Sequence, residues 1–161
     1  MITGRVRKFG DNIDTDTVAP GPYLQLPAEE MKKYAFGPAV PDFYKTISEG
    51  DVIVAGNNFG CGSSREQATQ VVKDLGITFV IADSIARIYY RNCIALGLHP
   101  IAVKGVSDLF DEGDAIEIDL EATKLRNPKT GREISFAPLS ESQEEIIKAG
   151  GILPLLKKIT D

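Results

Sequence analysis

The 161-residue sequence contains two cysteines, one histidine and no tryptophan. Two cysteines can form at most one disulfide, which excludes a secreted fold that depends on several disulfides. A [4Fe–4S] cluster takes cysteine ligands in threes or fours, so Cys61 and Cys93 could not hold such a cluster alone. With His99 as its one histidine, the chain is also poorly supplied for a hydrolase triad.

Basic charge and long apolar runs are scarce as well. The 18 lysines and arginines are outnumbered by 23 aspartates and glutamates, and the net charge of −5 argues against non-specific binding to nucleic acid. The most apolar stretch, residues 77–98, is interrupted by Asp83, Arg87 and Arg91, whereas a membrane-spanning helix requires about 20 consecutive apolar residues. The N-terminal sequence lacks the apolar core of a signal peptide. We therefore expect a cytoplasmic protein that binds neither nucleic acid nor membrane.

Short apolar runs alternate with helical patterns in the first two thirds of the chain. Buried strands are predicted where the runs are apolar and β-branched, at residues 51–55, 77–82 and 98–103. Helical patterns at residues 64–76 and 85–96 lie between them. Two successive β–α–β units of this kind predict a parallel core sheet.

The starts of these two helices carry residues that favour capping. Ser63 is followed three residues later by Glu66, and Ser64 by Gln67, so either pair matches a capping box. Ser84 is a candidate cap for the second helix. We therefore expect Ser63 or Ser64 to lie at the N-terminus of a helix.

The remainder of the chain predicts additions to this core. We expect a first strand at residues 2–9, then a long ordered loop and a short helix at residues 28–34. Residues 115–120 alternate between apolar and polar, and with the segments after them they predict short antiparallel strands. The last segment predicts C-terminal helices. The sequence thus predicts one α/β domain over residues 1–161.

The glycine-rich segment GNNFGCGSSRE, residues 56–66, lies between a predicted buried strand and a predicted helix. Glycines permit positive φ and a close approach of the backbone to a ligand. A helix N-terminus offers free amides to an anion, and Arg65 adds a guanidinium suited to a carboxylate or phosphate. The segment therefore indicates an anionic small molecule, bound by Arg65, the backbone and one or both serines.

Three known motifs resemble this segment without matching it. A P-loop requires a lysine that residues 56–64 lack, and a nucleophile elbow would place Cys61 where glycine belongs. The dinucleotide-binding fingerprint begins with Gly60 and Gly62 but has Arg65 at its third glycine position. Because Asp83 follows at about the distance of a ribose-binding acid, a nucleotide-binding module stays an alternative, as does a non-catalytic interaction protein.

Within this stretch, NNFGCGSSREQA resembles the signature of the small subunit, or swivelling domain, of the aconitase superfamily. FGDNIDTDTVAPGPYL is similar to the N-terminal loop of that family, and IADSIARIYYRNCIALGLHPI to its second helix and flanking strands. The matches cover most of residues 1–103, and the length is similar to that of free-standing small subunits of the 3-isopropylmalate dehydratase and homoaconitase type. The resemblance implies a swivelling β/β/α domain in a hydro-lyase that dehydrates and rehydrates a 2-hydroxy dicarboxylate.

The resemblance also implies a partner and residue roles. In this family a large subunit carries a [4Fe–4S] cluster, and the two subunits form a heterodimer or heterotetramer. The first serine of the signature, here Ser63, is the family's base. Ser64 and Arg65 would bind the substrate, and Asp16 would orient groups in the active site.

The loop at residues 20–27 is implied to select the substrate, through Tyr23, Leu24 and the residue after them. In the family, arginine at that position accompanies the extra carboxylate of homoaconitase substrates, and apolar residues accompany an isopropyl group. This chain has Gln25, which matches neither and cannot pair with a third carboxylate as arginine does. We therefore expect 3-isopropylmalate, in leucine biosynthesis; homoaconitase, citramalate and 2,3-dimethylmalate substrates stay open, as does a glutamine without a role.

Overall fold

Residues 1–160 are described by a computed structural model, and seven strands within this range form one mixed sheet. The strands are β1 (Ile2–Lys8), β2 (Asp51–Ala55), β3 (Phe79–Ala82), β4 (His99–Ala102), β5 (Ala115–Asp119), β6 (Lys124–Arg126) and β7 (Glu133–Ser135). Their order across the sheet is β4-β3-β2-β1-β5-β6-β7. Strands β1 to β4 are parallel, whereas β5 pairs antiparallel with β1 and continues into β6 and β7. The predicted α/β class, with a parallel core and antiparallel additions, is confirmed.

The helices are α1 (Thr15–Val18), α2 (Ala28–Met31), α3 (Phe43–Thr46), α4 (Gln67–Asp74), α5 (Arg87–Leu96), α6 (Glu141–Ala149) and α7 (Ile152–Thr160). The long loop predicted after the first strand contains a single turn of helix, α1. α1 forms because the Asp14 carboxylate caps it, accepting a hydrogen bond from the Thr17 amide at 2.7 Å. Within residues 1–160, the structure contains no helix that is long and apolar enough to cross a membrane.

The capping predictions for α4 were wrong. α4 begins at Gln67, and among the described residues no side chain caps it. Thr15 instead holds the preceding segment: its amide donates to the carbonyl of Cys61 and its hydroxyl to the carbonyl of Ser63, both at 2.8 Å. Because these tertiary bonds fix the chain before the helix starts, Ser63 and Ser64 are left outside α4.

Ser84 does not cap α5 either. Its hydroxyl accepts a hydrogen bond from the amide of Asn58 at 2.7 Å, and α5 begins at Arg87. The predicted end of this helix is correct, because Gly97 adopts φ +86° and terminates it in the left-handed conformation.

The central strands β2 and β3 are buried on both faces, which explains the continuous apolar run of β2. Ile53 and Ala55 belong to one core cluster, which includes residues of α4 and α5. Val52 and Val54 belong to a second cluster, built with β4, β5 and β6. The central strands are therefore rigid supports for the loops at their carboxyl ends.

Candidate active site

Three loops meet at one edge of the sheet. Because β1, β2 and β3 are parallel, the segments that follow them emerge at the same edge. The amide of Gly60 donates to the carbonyl of Ile13 at 2.7 Å, which joins the loops after β1 and β2. The amide of Phe59 donates to the carbonyl of Ser84 at 3.0 Å, which joins the loops after β2 and β3. Backbone hydrogen bonds thus hold the site together.

The glycine-rich segment is shaped by its close approach to α5. Gly60 has φ +80°, and a Cβ atom there would lie 2.3 Å from Cγ of Tyr89. Tyr89 is fully buried and packs against the ring of Phe59 in a T-shaped arrangement. Its hydroxyl donates a hydrogen bond to the carbonyl of Ala68 at 2.9 Å. Glycine is therefore required at residue 60 for both its backbone conformation and its lack of a side chain.

A cleft of about 360 Å³ opens where these loops meet. Its lining residues come from the loop after β1, from the glycine-rich segment and from the start of α5: Thr15, Gly60, Cys61, Gly62, Ser63, Ser64, Arg65, Ala86, Arg87, Ile88, Tyr89 and Asn92. The structure therefore brings together three of the predicted site residues, Ser63, Ser64 and Arg65.

Arg65 is oriented by Asp16. Nη1 of Arg65 donates to Oδ1 of Asp16 at 2.9 Å and to the carbonyl of Ala19 at 3.1 Å. The hydrogen bond from Arg65, followed by one from the amide of Gly21, lowers the pKa of Asp16. Within residues 1–160, Nη2 and Nε of Arg65 have no hydrogen-bond acceptor. The guanidinium is thus fixed through one nitrogen, and its other two can bind a carboxylate.

Ser63 and Ser64 are exposed in the cleft. Because α4 begins only at Gln67, the partial positive charge of its N-terminus acts on Ser63 from beyond the first turn, more weakly than the predicted cap would have allowed. The hydrogen bonds of the described residues leave the amides of residues 62–66 without a backbone acceptor. Residues 62–65 line the cleft, so their amides and Arg65 are candidate donors to an anion bound beside the two serines.

The residues predicted to select the substrate lie outside the cleft lining of the described chain. Tyr23 stacks on Tyr34, with ring centroids 3.7 Å apart and an interplanar angle of 8°. Leu24 packs against the core, and Gln25 is exposed. The loop is nevertheless joined to the site, because the amide of Gly21 donates to Asp16 at 3.1 Å.

Local patterns in the sequence did not indicate that Arg87, Ile88 and Asn92 line the cleft. The topology supplies the missing signal, because α5 follows β3, whose carboxyl end lies beside that of β2. A predicted parallel pairing of β2 and β3 therefore indicates that the start of α5 faces the glycine-rich segment.

Other candidate groups have structural partners. The carboxylate of Asp83 accepts hydrogen bonds from the amide and the hydroxyl of Ser107, each at 2.9 Å, so it is not free to bind a ribose. Cys93 is buried, which raises the pKa of its thiol. Among residues 1–160, no three histidine, cysteine or acidic side chains are grouped so that they could hold a metal ion.

Comparison with known families matches residues 11–105 to the aconitase C-terminal domain. This range contains the three loops and the entire cleft lining. The chain belongs to the aconitase C-terminal domain family.

Members of this family resemble the chain over nearly its whole length. The isopropylmalate/citramalate isomerase small subunit of Methanocaldococcus jannaschii is 48% identical over 98% of this chain and 95% of that protein. The methanogen homoaconitase small subunit of Methanothermobacter thermautotrophicus is 42% identical over 100% of this chain and 94% of that protein. A crystal structure of 3-isopropylmalate dehydratase from M. jannaschii superposes with a TM-score of 0.92 at 44% identity, covering 99% of this chain and 95% of that one. The chain therefore resembles these proteins in fold as well as in sequence.

Proposed function

We propose that this protein is the small subunit of a hydro-lyase that isomerises a 2-hydroxy dicarboxylate by dehydration and rehydration. The observation that carries the proposal is the cleft in which two exposed serines lie beside an arginine fixed by Asp16. Near-full-length similarity to small subunits named for such enzymes supports it. In this proposal, residues 1–161 act as one swivelling domain.

Ser63 is the proposed base: its deprotonated oxygen, an alkoxide, accepts the proton removed from the substrate and becomes the hydroxyl. Serine is a weak base at neutral pH, so the surroundings must favour its deprotonated form. The guanidinium of Arg65 and the amides of the cleft-lining residues 62–65, which have no backbone acceptor in the described chain, would supply positive potential in the cleft. Exclusion of water when a partner covers the cleft would strengthen these interactions.

Arg65 and Ser64 are the proposed substrate-binding groups. Nη2 and Nε of Arg65 would bind one substrate carboxylate, while Nη1 stays on Asp16. Asp16 thereby sets the direction of the guanidinium and acts as a positioning residue. Ser64 would donate a hydrogen bond to the substrate or to Ser63.

The proposed partner is the large subunit of the same dehydratase, in a heterodimer or heterotetramer. The cleft is open, and Ser63 and Ser64 are exposed, so a second surface is needed to exclude water. Two cysteines, one of them buried, do not fit a cluster site in this chain. A [4Fe–4S] cluster on the large subunit would supply the Lewis acid for the departing hydroxyl.

The proposed substrate is 3-isopropylmalate, which interconverts with 2-isopropylmalate. Gln25 carries no charge to pair with a third carboxylate, which disfavours a homoaconitase substrate. Ile88 is 53% exposed at the cleft and offers an apolar surface to a branched alkyl group. Citramalate and 2,3-dimethylmalate are the alternative dicarboxylates.

Reconstitution with the large subunit tests the proposal. Each subunit is purified and assayed alone and together against isopropylmalate, citramalate, 2,3-dimethylmalate and homocitrate, and the unsaturated intermediate is followed by its ultraviolet absorbance. We expect turnover only by the pair, with isopropylmalate preferred. Absence of turnover with every diacid, or tight binding of NAD or ATP by the lone chain, would contradict the proposal.

A further inference from the structure

The cleft contains a second arginine, Arg87. It is the first residue of α5, it lines the cleft that also contains Ser63 and Ser64, and its side chain is exposed. The salt bridges of residues 1–160 include Arg65 with Asp16 but none with Arg87. Arg87 is therefore the cleft cation whose charge no described carboxylate offsets.

The backbone at Arg87 is held firmly in place. The amide of Ala86 donates to the carbonyl of Phe59 at 2.9 Å, and the buried ring of Tyr89 packs against Phe59. The start of α5 is thus tied to the glycine-rich segment on both sides of Arg87. A cation anchored in this way can contribute to binding at a smaller cost in conformational entropy than one on a mobile loop.

The position of Arg87 is unfavourable for the helix itself. Cations are destabilising at a helix N-terminus, where the partial charge is positive, and no side chain of the described residues caps α5. Arg91 lies one turn further along the same helix and is also exposed, but it does not line the cleft. Helix stability therefore gives no reason for a cation at residue 87, whereas an anion bound in the cleft would.

We propose that Arg87 binds the second carboxylate of the substrate, while Arg65 binds the first. This inference rests on the proposed function. Gln25 is neutral, and Arg65 already shares its charge with Asp16, so without Arg87 this chain would offer the diacid a single, half-compensated guanidinium in the cleft. Arg87 supplies the missing positive charge, and it makes the site select diacids over monoacids.

Arg87→Gln in the reconstituted complex tests this assignment, with Arg91→Gln as the matched control. Both variants remove one exposed arginine from α5, and because Arg87→Gln removes the cation at the helix N-terminus, any loss of binding in it does not come from a weaker helix. Loss of a charge-assisted hydrogen bond should raise KM for the diacid roughly 10- to 100-fold in Arg87→Gln. Arg91→Gln should keep the KM of the unaltered complex, and Arg87→Lys should recover part of the loss because it keeps the charge.

Two further measurements distinguish binding of a substrate carboxylate by Arg87 from a contact between Arg87 and the large subunit. The KM for the substrate monomethyl ester in which the Arg87-bound carboxylate is masked should be the same with and without Arg87→Gln. Titration with the large subunit should give the same half-saturating concentration for the unaltered small subunit and for Arg87→Gln. An unchanged KM for the diacid would overturn the inference, as would a weakened subunit association that accounts for the loss. If the unaltered complex turns over no diacid, the proposed function fails, and this inference fails with it.

Discussion

Replacing Gly60 by alanine should destabilise the protein through two separable effects. Residue 60 has φ +80°, and an L-residue in this left-handed region costs about 1–2 kcal/mol. The added Cβ would also lie 2.3 Å from Cγ of Tyr89, a fully buried ring that hydrogen-bonds to Ala68 and cannot swing into solvent. Overpacking of this kind costs about 1–3 kcal/mol more, so we expect a total loss of about 2–5 kcal/mol.

Gly113→Ala is the matched control for backbone strain alone. Gly113 has φ +85°, almost the same conformation, but a Cβ there would meet nothing within 4 Å. Urea unfolding followed by circular dichroism gives the free energy of unfolding of each variant. We expect Gly113→Ala to lose only the strain contribution of about 1–2 kcal/mol. Equal losses in the two variants would refute the close packing of the glycine-rich segment on Tyr89.

Three further predictions test the site and its surroundings. A thiol reagent added to the folded protein should modify Cys61, which lines the cleft, and spare the buried Cys93, as mapped by peptide mass spectrometry; modification of both would contradict the burial of Cys93. Burial lowers the pKa of His99 in the folded protein below its ordinary 6.5. As the pH falls, His99 is therefore protonated in the unfolded chain before it is protonated in the folded one, and the free energy of unfolding should decrease below about pH 6.5. His99→Gln should remove this dependence between pH 7.5 and 5.5, and an unchanged slope would refute the assignment. Asp16→Asn should lower kcat/KM of the reconstituted complex with little change in Tm, because Asp16 is exposed and orients Arg65. The pKa of Asp16 is lowered, so its ion pair with Arg65 persists at neutral pH and breaks only as the pH falls through that pKa. Equal kcat/KM values for the variant and the unaltered complex at pH 7 would refute this role.

The sequence predicted the strands well because their burial is visible in their composition. β2 is buried on both faces, which requires a continuous apolar run, and its predicted bounds are those observed. The helix starts were harder to predict, as two matching capping patterns demonstrate. Ser140 with Gln143 forms a complete capping box at α6, where the backbone is free to adopt it. The same pattern at Ser63 fails because Thr15, from a distant loop, holds the chain before α4.

The candidate site was predicted only in part, because some of its residues are neighbours in the chain and others are brought together by the fold. Ser63, Ser64 and Arg65 are neighbours in the chain, so one glycine-rich segment was enough to bring them together. Arg87 reaches the cleft only because β2 and β3 pair in parallel and place their carboxyl ends side by side. Contributions of this kind depend on tertiary topology, which local patterns do not contain.

Exchange of the substrate's carbon-bound hydrogen with solvent reports directly on the group that removes this hydrogen as a proton. The reconstituted complex is incubated with substrate deuterated at the carbon that loses its proton, and loss of the label is followed by mass spectrometry. If Ser63 is the base, label loss should be rapid with the unaltered small subunit and slower by orders of magnitude with Ser63→Ala, while circular dichroism and subunit association stay the same. Label loss at a nearly unaltered rate in Ser63→Ala would contradict the assignment of Ser63 as the base.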